Sequence, residues 1–273
     1  MINKALNAQH VLITRPEHKQ QALGALLALH GATVEKLAVI KIQPFKPGDK
    51  DYALAKQHIL NLDLFDIVIC ISANAGRMAG ELIDQYWPQL PIGVEWLAMG
   101  KATTVALSKY DIDAEIMPGH SDSEALLLNP KLSHIQAKKI LILKGNSGRE
   151  LLSQTLQSRG AIICEANLYN RLIPVYTDTH IKSVLYSHHF SAILITSAEA
   201  VSNLTTIARG SLEQFSIKAL LDTPLVVPSS RVANVAATLG YHHITVAPAA
   251  DNQAMLSALL SVQKLEDDHE EKN

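Results

Sequence analysis

An internal duplication restricts the folds open to this chain more than any other feature of its sequence. The run Val-Leu-Ile at 11–13 matches Ile-Leu-Ile at 140–142, an offset of 129 residues. The match continues without a gap at the same offset, pairing Leu23 with Leu152, Leu27 with Leu156, Gly31 with Gly160, Ala32 with Ala161 and Val34 with Ile163. A gapless match over a whole strand–helix–strand segment favours duplication. The alternative is that any two such segments look alike, because they obey the same packing rules.

A second pair of segments repeats more weakly. Residues 67–72 match residues 192–197 at an offset of 125. Further along, Thr103 matches Ser230, Pro118 matches Pro248 and Leu126 matches Leu256, at offsets that drift as loop insertions would make them. We name the four segments A, B, A′ and B′ in chain order, beginning at residues 11, 67, 140 and 192. The repeat predicts two similar lobes with a ligand in the cleft between them, but it leaves open whether A packs with B or with B′.

Short apolar runs alternate with helical periodicity along the chain. The predicted strands cover residues 10–14, 33–40, 66–71, 94–98, 114–117, 139–143, 161–169, 192–196, 224–227 and 243–246, with helices between them. Strict alternation of strand and helix is typical of an α/β fold with parallel sheets. Right-handed crossovers place the helices on both faces of each sheet. The charged and polar end, 266–273, predicts a frayed, solvated tail.

The composition excludes several classes of protein. Apolar residues make up 48% of the chain and charged residues 18%, a balance that supports buried cores and excludes bulk disorder. The net charge of −2 and the absence of a Lys/Arg run argue against nucleic-acid binding. No apolar run approaches the ~20 residues that span a bilayer, and residues 1–10 lack the apolar stretch of a signal peptide. Cys70 and Cys164 lie in apolar runs, as buried thiols do, so we expect a cytoplasmic protein with no membrane partner.

Small and hydroxylated residues follow the predicted strands. They are Thr14, Arg15, Ser72, Gly100, Thr103, the turn at 144–149, Ser197, Ser229, Ser230 and Arg231. In parallel sheets ligands bind beyond the carboxyl ends of the strands, and backbone N–H groups at helix amino termini bind anions. Ser and Thr are also ordinary N-caps at such positions, but their number here favours an anionic ligand. The glycine spacings of phosphate-binding loops and the ligand spacings of zinc sites are absent; Glu95, for example, stands where a P-loop has its first glycine.

At these turns the chain resembles the uroporphyrinogen-III synthase family. The motifs that carry the resemblance are Leu-Ile-Thr-Arg-Pro at 12–16, Met-Gly-Lys-Ala-Thr at 99–103, Gly-Asn-Ser-Gly-Arg at 145–149, Gly160-Ala161 leading to Leu-Tyr-Asn-Arg at 168–171, and Thr-Ser-Ala-Glu-Ala-Val at 196–201. Their order and spacing extend the resemblance over nearly the whole chain. The last turn departs from the family, because Val-Pro-Ser-Ser at 227–230 stands where the family often has a glycine. The hydroxyl is kept, but a close approach of the backbone at this turn is put in question.

The resemblance implies a reaction and a set of residues. The family cyclises hydroxymethylbilane, a linear tetrapyrrole rich in carboxylates, inverts its last ring and eliminates water, with no metal and no cofactor. Tyr169 is the implied catalytic acid, since a phenol is protonated at neutral pH, with help from the hydroxyls of Thr103, Ser197 and Ser230. The implied substrate-binding residues are Thr14, Arg15, Ser72, Lys101, Thr103, Gly145, Arg149, Ser197, Ser229 and Ser230, of which Arg15, Lys101 and Arg149 would bind carboxylates. The alternative for Tyr169 is a sheet-edge residue that only packs or forms a hydrogen bond.

The resemblance also implies how the lobes are built. One lobe would comprise residues 1–42 and 173–265, and the other residues 46–168. Each would be a flavodoxin-like parallel sheet flanked by helices, and two strands would link them. Pro44, Pro47 and Pro174 near the crossings suit extended linkers. The expected partner is the small-molecule substrate, and a transient contact with the preceding pathway enzyme is left open.

Two other functions are compatible with a two-lobed α/β chain. A non-catalytic binding protein for a small anion would explain the duplication, but not the tyrosine motif, and a secreted binder would carry a signal peptide. A sugar transferase that uses a nucleotide donor would carry an acidic ribose or metal motif, which the sequence lacks. The products formed from hydroxymethylbilane distinguish the three functions.

Overall fold

The computed structural model describes residues 5–116, 123–147, 150–210 and 216–270. Contacts divide the chain into two compact units: unit 1 is Met1–Lys41 with Leu172–Asn273, and unit 2 is Ile42–Arg171. Strands and helices alternate and form two parallel sheets flanked by helices, which confirms the predicted α/β fold.

The described elements are short and follow one another closely. The strands are β1 (His10–Ile13), β2 (Thr33–Lys36), β3 (Lys41–Pro44), β4 (Ile67–Cys70), β5 (Glu95–Ala98), β6 (Glu115–Ile116), β7 (Lys139–Lys144), β8 (Ile162–Asn167), β9 (Tyr169–Leu172), β10 (Ala192–Leu194), β11 (Leu225–Val227) and β12 (Ile244–Val246). The α-helices are α1 (Gln20–Leu29), α2 (Lys50–Leu60), α3 (Ala73–Tyr86), α4 (Lys101–Ser108), α5 (Ser123–Leu126), α6 (Leu151–Ser158), α7 (Asp178–Ile181), α8 (Ala198–Gly210), α9 (Lys218–Asp222), α10 (Ser230–Thr238) and α11 (Asn252–Glu270). Single turns of 3₁₀ helix lie at Glu17–Lys19, Leu62–Leu64 and Pro130–Leu132, and α7 continues into a π-helical turn, Lys182–Tyr186.

Both units contain a five-stranded sheet with the same strand order. Unit 1 has the order β12-β11-β10-β1-β2, and unit 2 has the order β6-β5-β4-β7-β8. The two orders are identical when β7 and β8 are taken as the copies of β1 and β2, and β4 to β6 as the copies of β10 to β12. The register also agrees, because Val11 lies opposite Ala192, and its repeat partner Ile140 lies opposite Ile67. Segment A therefore packs with B′, and A′ packs with B; along unit 1 this is the 2-1-3-4-5 order of flavodoxin-like sheets.

The sheets form the cores of the two units because both faces of their central strands are apolar. Alternation along β4 places Val68 and Cys70 in a cluster with α2, α3 and α4, and Ile67 and Ile69 in a cluster with α5 and α6. In unit 1, Val11 shares a cluster with α1 and α11. With the strand faces covered, the strand ends carry the polar side chains that a ligand could reach.

Two of the predicted strands are much longer than the strands observed. The run 33–40 is a strand only to Lys36, although the next four residues are buried. Beyond Lys36, side chains supply partners for the backbone: Tyr176 Oη donates to the Ala38 carbonyl at 2.8 Å, and Asn203 Nδ2 donates to the Val39 carbonyl at 2.9 Å. The run 161–169 divides in the same way, since β8 ends two residues before Tyr169, which begins β9 in a separate two-stranded sheet with β3.

The frayed tail predicted from residue 266 is wrong over most of its length. Helix α11 continues to Glu270, and residues 271–273 lie outside the described part of the chain. Lys, Leu and Glu, which occupy positions 264–266, have high helix propensity. Extending a helix that has already formed gains a backbone hydrogen bond for each residue that is fixed.

His10 at the start of β1 is expected to make unit 1 less stable in mild acid. Burial lowers its pKa below 6.5, and His188, whose ring centroid is 5.0 Å away, lowers it further, while Glu35 raises it. The unfolded chain therefore binds this proton first as the pH falls. The contribution of neutral His10 to stability is complete above pH 6.5 and decreases as the pH falls from 6.5 to the native pKa. Urea unfolding at about pH 7.5 and about pH 5.5 should show a smaller loss of stability in His10→Gln than in the wild type. The exposed His134→Gln is the control, and an equal loss in wild type and His10→Gln would contradict this assignment.

Candidate functional site

Three turns of unit 2 meet at the carboxyl edge of its sheet. Strand β4 lies between β5 and β7, and Cys70 is in register with a residue of each. Ser72, Gly100 and Gly145 follow the ends of these three strands, each two residues beyond the row that contains Cys70. Since the strands are parallel, the three turns lie side by side, where ligands of open α/β sheets bind.

Ser72 and Tyr169 form a pair of hydroxyl groups at this edge. Ser72 Oγ lies 3.0 Å from Tyr169 Oη, and either atom could donate the hydrogen bond. Ser72 also caps α3, because its Oγ accepts the N–H of Ala75 at 3.1 Å. Tyr169 is only 3% exposed, whereas Ser72 is half-buried. The fold thus joins two residues predicted for the site that are 97 positions apart in the chain.

The turn after β7 fixes the position of the tyrosine. A Cβ atom on Gly145 would lie 2.6 Å from both Cε2 and Cζ of Tyr169, so the ring occupies the space that any larger residue would need. The N–H of Asn146 donates to the Tyr169 carbonyl at 2.9 Å, and Asn146 Oδ1 accepts the N–H of Arg171 at 3.0 Å. Asn146 belongs to the turn predicted from the sequence, but its hydrogen bond with Arg171 is not predicted there. The available signal is that Asn side chains in turns commonly bond nearby backbone groups.

The hydroxyl group of Thr103 forms a hydrogen bond within the turn that leads into α4. Gly100 has a φ of 89°, which favours glycine. Thr103 is 2% exposed, and its Oγ1 donates to the Met99 carbonyl at 2.8 Å. Lys101, the first residue of α4, is exposed. The repeat assignment is corrected here, because the residue equivalent to Ser230, which opens α10, is Lys101 rather than Thr103.

In unit 1 the predicted serines at the strand ends cap helices. Ser197 Oγ accepts the N–H of Ala200 at 3.1 Å, and Ser229 Oγ accepts the N–H of Val232 at 3.4 Å. Ser230 follows as an exposed residue. Ser229 has extended backbone, with φ −167° and ψ 157°, which any residue adopts. The turn that departs from the family pattern therefore has no conformational need for glycine.

Thr14 and Arg15 form hydrogen bonds within unit 1. Thr14 is 1% exposed and donates from Oγ1 to the carbonyl at the end of β10 at 3.1 Å. Arg15 donates from Nη1 to Asn252 Oδ1 and from Nη2 to the Ala250 carbonyl at 2.6 Å. Burial lowers the pKa of Arg15, and the carboxylate of Asp251 opposes this shift. Carboxylate binding by Arg15 stays a prediction, and a ligand would have to compete with these bonds.

An ion pair beside the turn after β7 is a feature that sequence reasoning misses. Lys144 Nζ lies 3.1 Å from Glu165 Oε2, and Ser153 Oγ donates to Glu165 Oε1. Burial acts against ionisation of this carboxyl, but the hydrogen bonds from Ser153 and Lys144 together lower the pKa of Glu165. Lys144 is thus neutralised by its own strand neighbour. Only the pairing of β7 with β8 reveals this, since the two residues are far apart in sequence.

Arg149 lies outside the described residues. In the ranges that the structure describes, no cluster of three or more His, Cys, Asp or Glu residues could hold a metal ion. No helix within these ranges combines the length and the apolar character that crossing a bilayer requires.

A cavity of about 220 Å³ lies elsewhere in unit 2, between α2 and α3. Its walls include Phe45, Met78 and Leu168, and the charged side chain on them is Glu81. None of the described side chains that line the cavity is basic, and Glu81 is itself paired with Arg77 at 2.6 Å. The cavity therefore does not suit the anionic ligand predicted for the strand ends.

Comparisons with known proteins agree on one family. The sequence model described as uroporphyrinogen-III synthase HemD matches residues 2–257. The chain is 32% identical over 256 residues to a uroporphyrinogen-III synthase of Salmonella typhimurium, covering 91% of this chain and 99% of that protein. It is 31% identical over 253 residues to a protein of the same name from Escherichia coli, with the same two coverages.

Solved structures resemble the fold. A mutant uroporphyrinogen III synthase from the extremely thermophilic bacterium Thermus thermophilus matches with a TM-score of 0.63 and 16% identity, covering 94% of this chain and all of that one. A uroporphyrinogen-III synthetase from Helicobacter pylori matches with a TM-score of 0.58 and 13% identity, covering 93% and 99% of the two chains. At these identities the likeness bears on the fold alone.

Proposed function

We propose, starting from the fact that the chain belongs to the uroporphyrinogen-III synthase family, that it cyclises hydroxymethylbilane with inversion of the terminal pyrrole ring and loss of water. The reaction is a carbon–oxygen lyase step in tetrapyrrole (heme) biosynthesis. The observation that carries the proposal is the Ser72–Tyr169 hydroxyl pair, which lies where three strands of unit 2 end. The phenol supplies an acid at a position where ligands of α/β sheets bind.

Tyr169 is the source of the proton that makes the terminal hydroxyl a leaving group. The carbon–oxygen bond breaks, its electron pair leaves with water, and the lone pair of the pyrrole nitrogen stabilises the resulting cation. The cationic carbon bonds to the carbon of the last ring that already holds the chain, and the old bond between that carbon and the chain then breaks, leaving a second pyrrole-stabilised cation on the chain. The free α-carbon of the ring bonds to this cation and releases a proton, which restores the phenol. Holding the two ends of the chain in this geometry is the larger part of the task, because closure without inversion needs no enzyme.

The carboxylates of the substrate find partners at the helix amino termini. Helices α3 and α4 of unit 2 begin at the same edge as the hydroxyl pair, and their first N–H groups and dipoles favour anions. Lys101 adds an exposed positive charge there. We also propose a cytoplasmic location, which the two free cysteines favour. The contact with the preceding pathway enzyme stays a prediction that rests on the resemblance alone.

The test of the function is the identity of the product. Purified protein is supplied with hydroxymethylbilane, and the products are oxidised to porphyrins and resolved by isomer. We expect the inverted isomer III to dominate. Isomer I alone would reject the synthase function and would fit a binding protein or a transferase.

Tyr169→Phe is expected to lower turnover by at least about tenfold, which is the lower range for loss of a general acid. The ring keeps its packing, so the thermal unfolding midpoint should change little. Tyr241→Phe is the matched control, because Tyr241 is also 3% exposed and its hydroxyl lies 3.3 Å from Thr205 Oγ1, in unit 1. Near-normal turnover in Tyr169→Phe would reject the acid role.

A further inference from the structure

The hydrogen-bond capacity of Ser72 and the burial of Tyr169 together constrain the direction of their hydrogen bond. A serine hydroxyl has one hydrogen and can accept two hydrogen bonds, and Ser72 Oγ already accepts one from Ala75. A phenol that is 3% exposed needs an acceptor for its own hydrogen, since an unsatisfied buried donor is costly. Among the described residues, Ser72 Oγ is the hydrogen-bond partner of this phenol. Tyr169 therefore donates, and Ser72 Oγ accepts from both Tyr169 and Ala75.

This direction leaves the hydrogen of Ser72 as the one that can be donated to a bound molecule. Both acceptor positions of its oxygen are occupied, and Ser72 is half-buried whereas Tyr169 is 3% exposed. Accepting two hydrogen bonds polarises the serine O–H bond and makes it a stronger donor. A molecule bound at the strand ends would then meet the serine hydroxyl before the phenol.

We infer that Ser72 is a second catalytic residue, which passes the proton of Tyr169 to the substrate. This inference rests on the proposed function. The Ser72 Oγ–H bond breaks as its proton moves to the terminal hydroxyl of the substrate, and the Tyr169 proton replaces it on Oγ. The carbon–oxygen bond breaks with its electron pair leaving on water, so the products of the step are water, a pyrrole-stabilised cation and the Tyr169 phenolate. The proton released on ring closure returns to the phenolate through the same serine.

A double-mutant cycle tests the relay. Ser72→Ala, Tyr169→Phe and the double variant should each lower kcat by a similar factor, at least about tenfold, because each breaks the same proton path. Losses that multiply in the double variant would show two independent roles and overturn the relay. So would a kcat for Ser72→Ala within about threefold of the wild type.

Two conservative variants separate proton transfer from helix capping. Ser72→Thr keeps both a cap and a hydroxyl, so we expect kcat within about threefold of the wild type. Ser72→Asn keeps a good cap but cannot pass a proton through a hydroxyl, so we expect a normal melting temperature and a kcat as low as that of Ser72→Ala. Recovery of kcat by Asn would assign the effect to capping and overturn the inference. The two failures are distinguishable, since isomer I alone from wild-type protein rejects the proposed function, whereas isomer III with a failed cycle rejects only the relay.

Discussion

Replacing Gly145 with alanine should lower kcat by about a hundredfold while leaving most of the fold intact. The new Cβ would lie 2.6 Å from Cε2 and Cζ of Tyr169, where carbon atoms normally stay about 3.5–4.0 Å apart. The ring, or the turn after β7, must then move by about 1 Å, and a displacement of this size at a reacting group costs about two orders of magnitude in rate. Steady-state kinetics with hydroxymethylbilane should show the loss mainly in kcat, with a smaller change in KM.

Gly210→Ala is the control for this experiment. Gly210 ends α8 in unit 1, and a Cβ there would meet nothing within 4 Å. Its turnover should equal that of the wild type. If Gly145→Ala retained more than about a third of wild-type kcat, the close contact between Gly145 and Tyr169 would have no catalytic consequence.

Replacing Gly80 with alanine should destabilise the protein by about 3 kcal/mol, although alanine in a helix is normally better than glycine by about 1 kcal/mol. Gly80 is buried within α3, and a Cβ there would lie 2.1 Å from Cδ2 and 2.6 Å from Cγ of Tyr110. Because Cγ is the atom through which the ring is attached to the side chain, a rotation of the ring about its own axis cannot relieve the clash. Urea unfolding should show a lower midpoint with an unchanged slope.

One control variant and one rescue variant test this prediction. Gly210→Ala, a helical glycine with open space around it, should be neutral or stabilising by up to about 1 kcal/mol. In a Tyr110→Ala background, Gly80→Ala should lose most of its cost, because the clashing ring is gone. A Gly80→Ala protein as stable as the wild type would mean that the Tyr110 ring can move away from α3 without penalty.

The strand–helix alternation was predictable because it depends on local patterns. Runs such as 67–70, buried on both faces, are apolar throughout, and this signal is present in the sequence itself. The ends of elements depend on partners far away in the chain. The run 33–40 reads as one strand, but its regular pairing with β1 ends at Lys36, and the carbonyls of Ala38 and Val39 accept hydrogen bonds from Tyr176 and Asn203. Neither of these donors can be identified from the segment itself.

The sequence indicates where the residues of the candidate site lie better than it indicates what each of them does. Strand ends followed by Ser, Thr or Gly are visible in the sequence, and Ser72 and Gly145 do lie together with Tyr169. The sequence does not distinguish a hydroxyl group that stabilises the fold from one that binds a ligand. Thr14 and Thr103 illustrate this, since both are buried and donate to backbone carbonyls.

The pairing of A with B′ and of A′ with B affects the order in which the chain can fold as it is synthesised. Unit 2 is continuous, so it can close as soon as β8 has left the ribosome. Strand β1 pairs with β2 on one side and with β10 on the other, so the first strand–helix–strand segment must wait for its second neighbour until all of unit 2 has been synthesised. During that time β4 becomes available, and it presents to β7 the same register that β10 later presents to β1. A nascent chain that joined A to B would form a sheet of native strand order with the wrong copy, a kinetic trap created by the duplication itself.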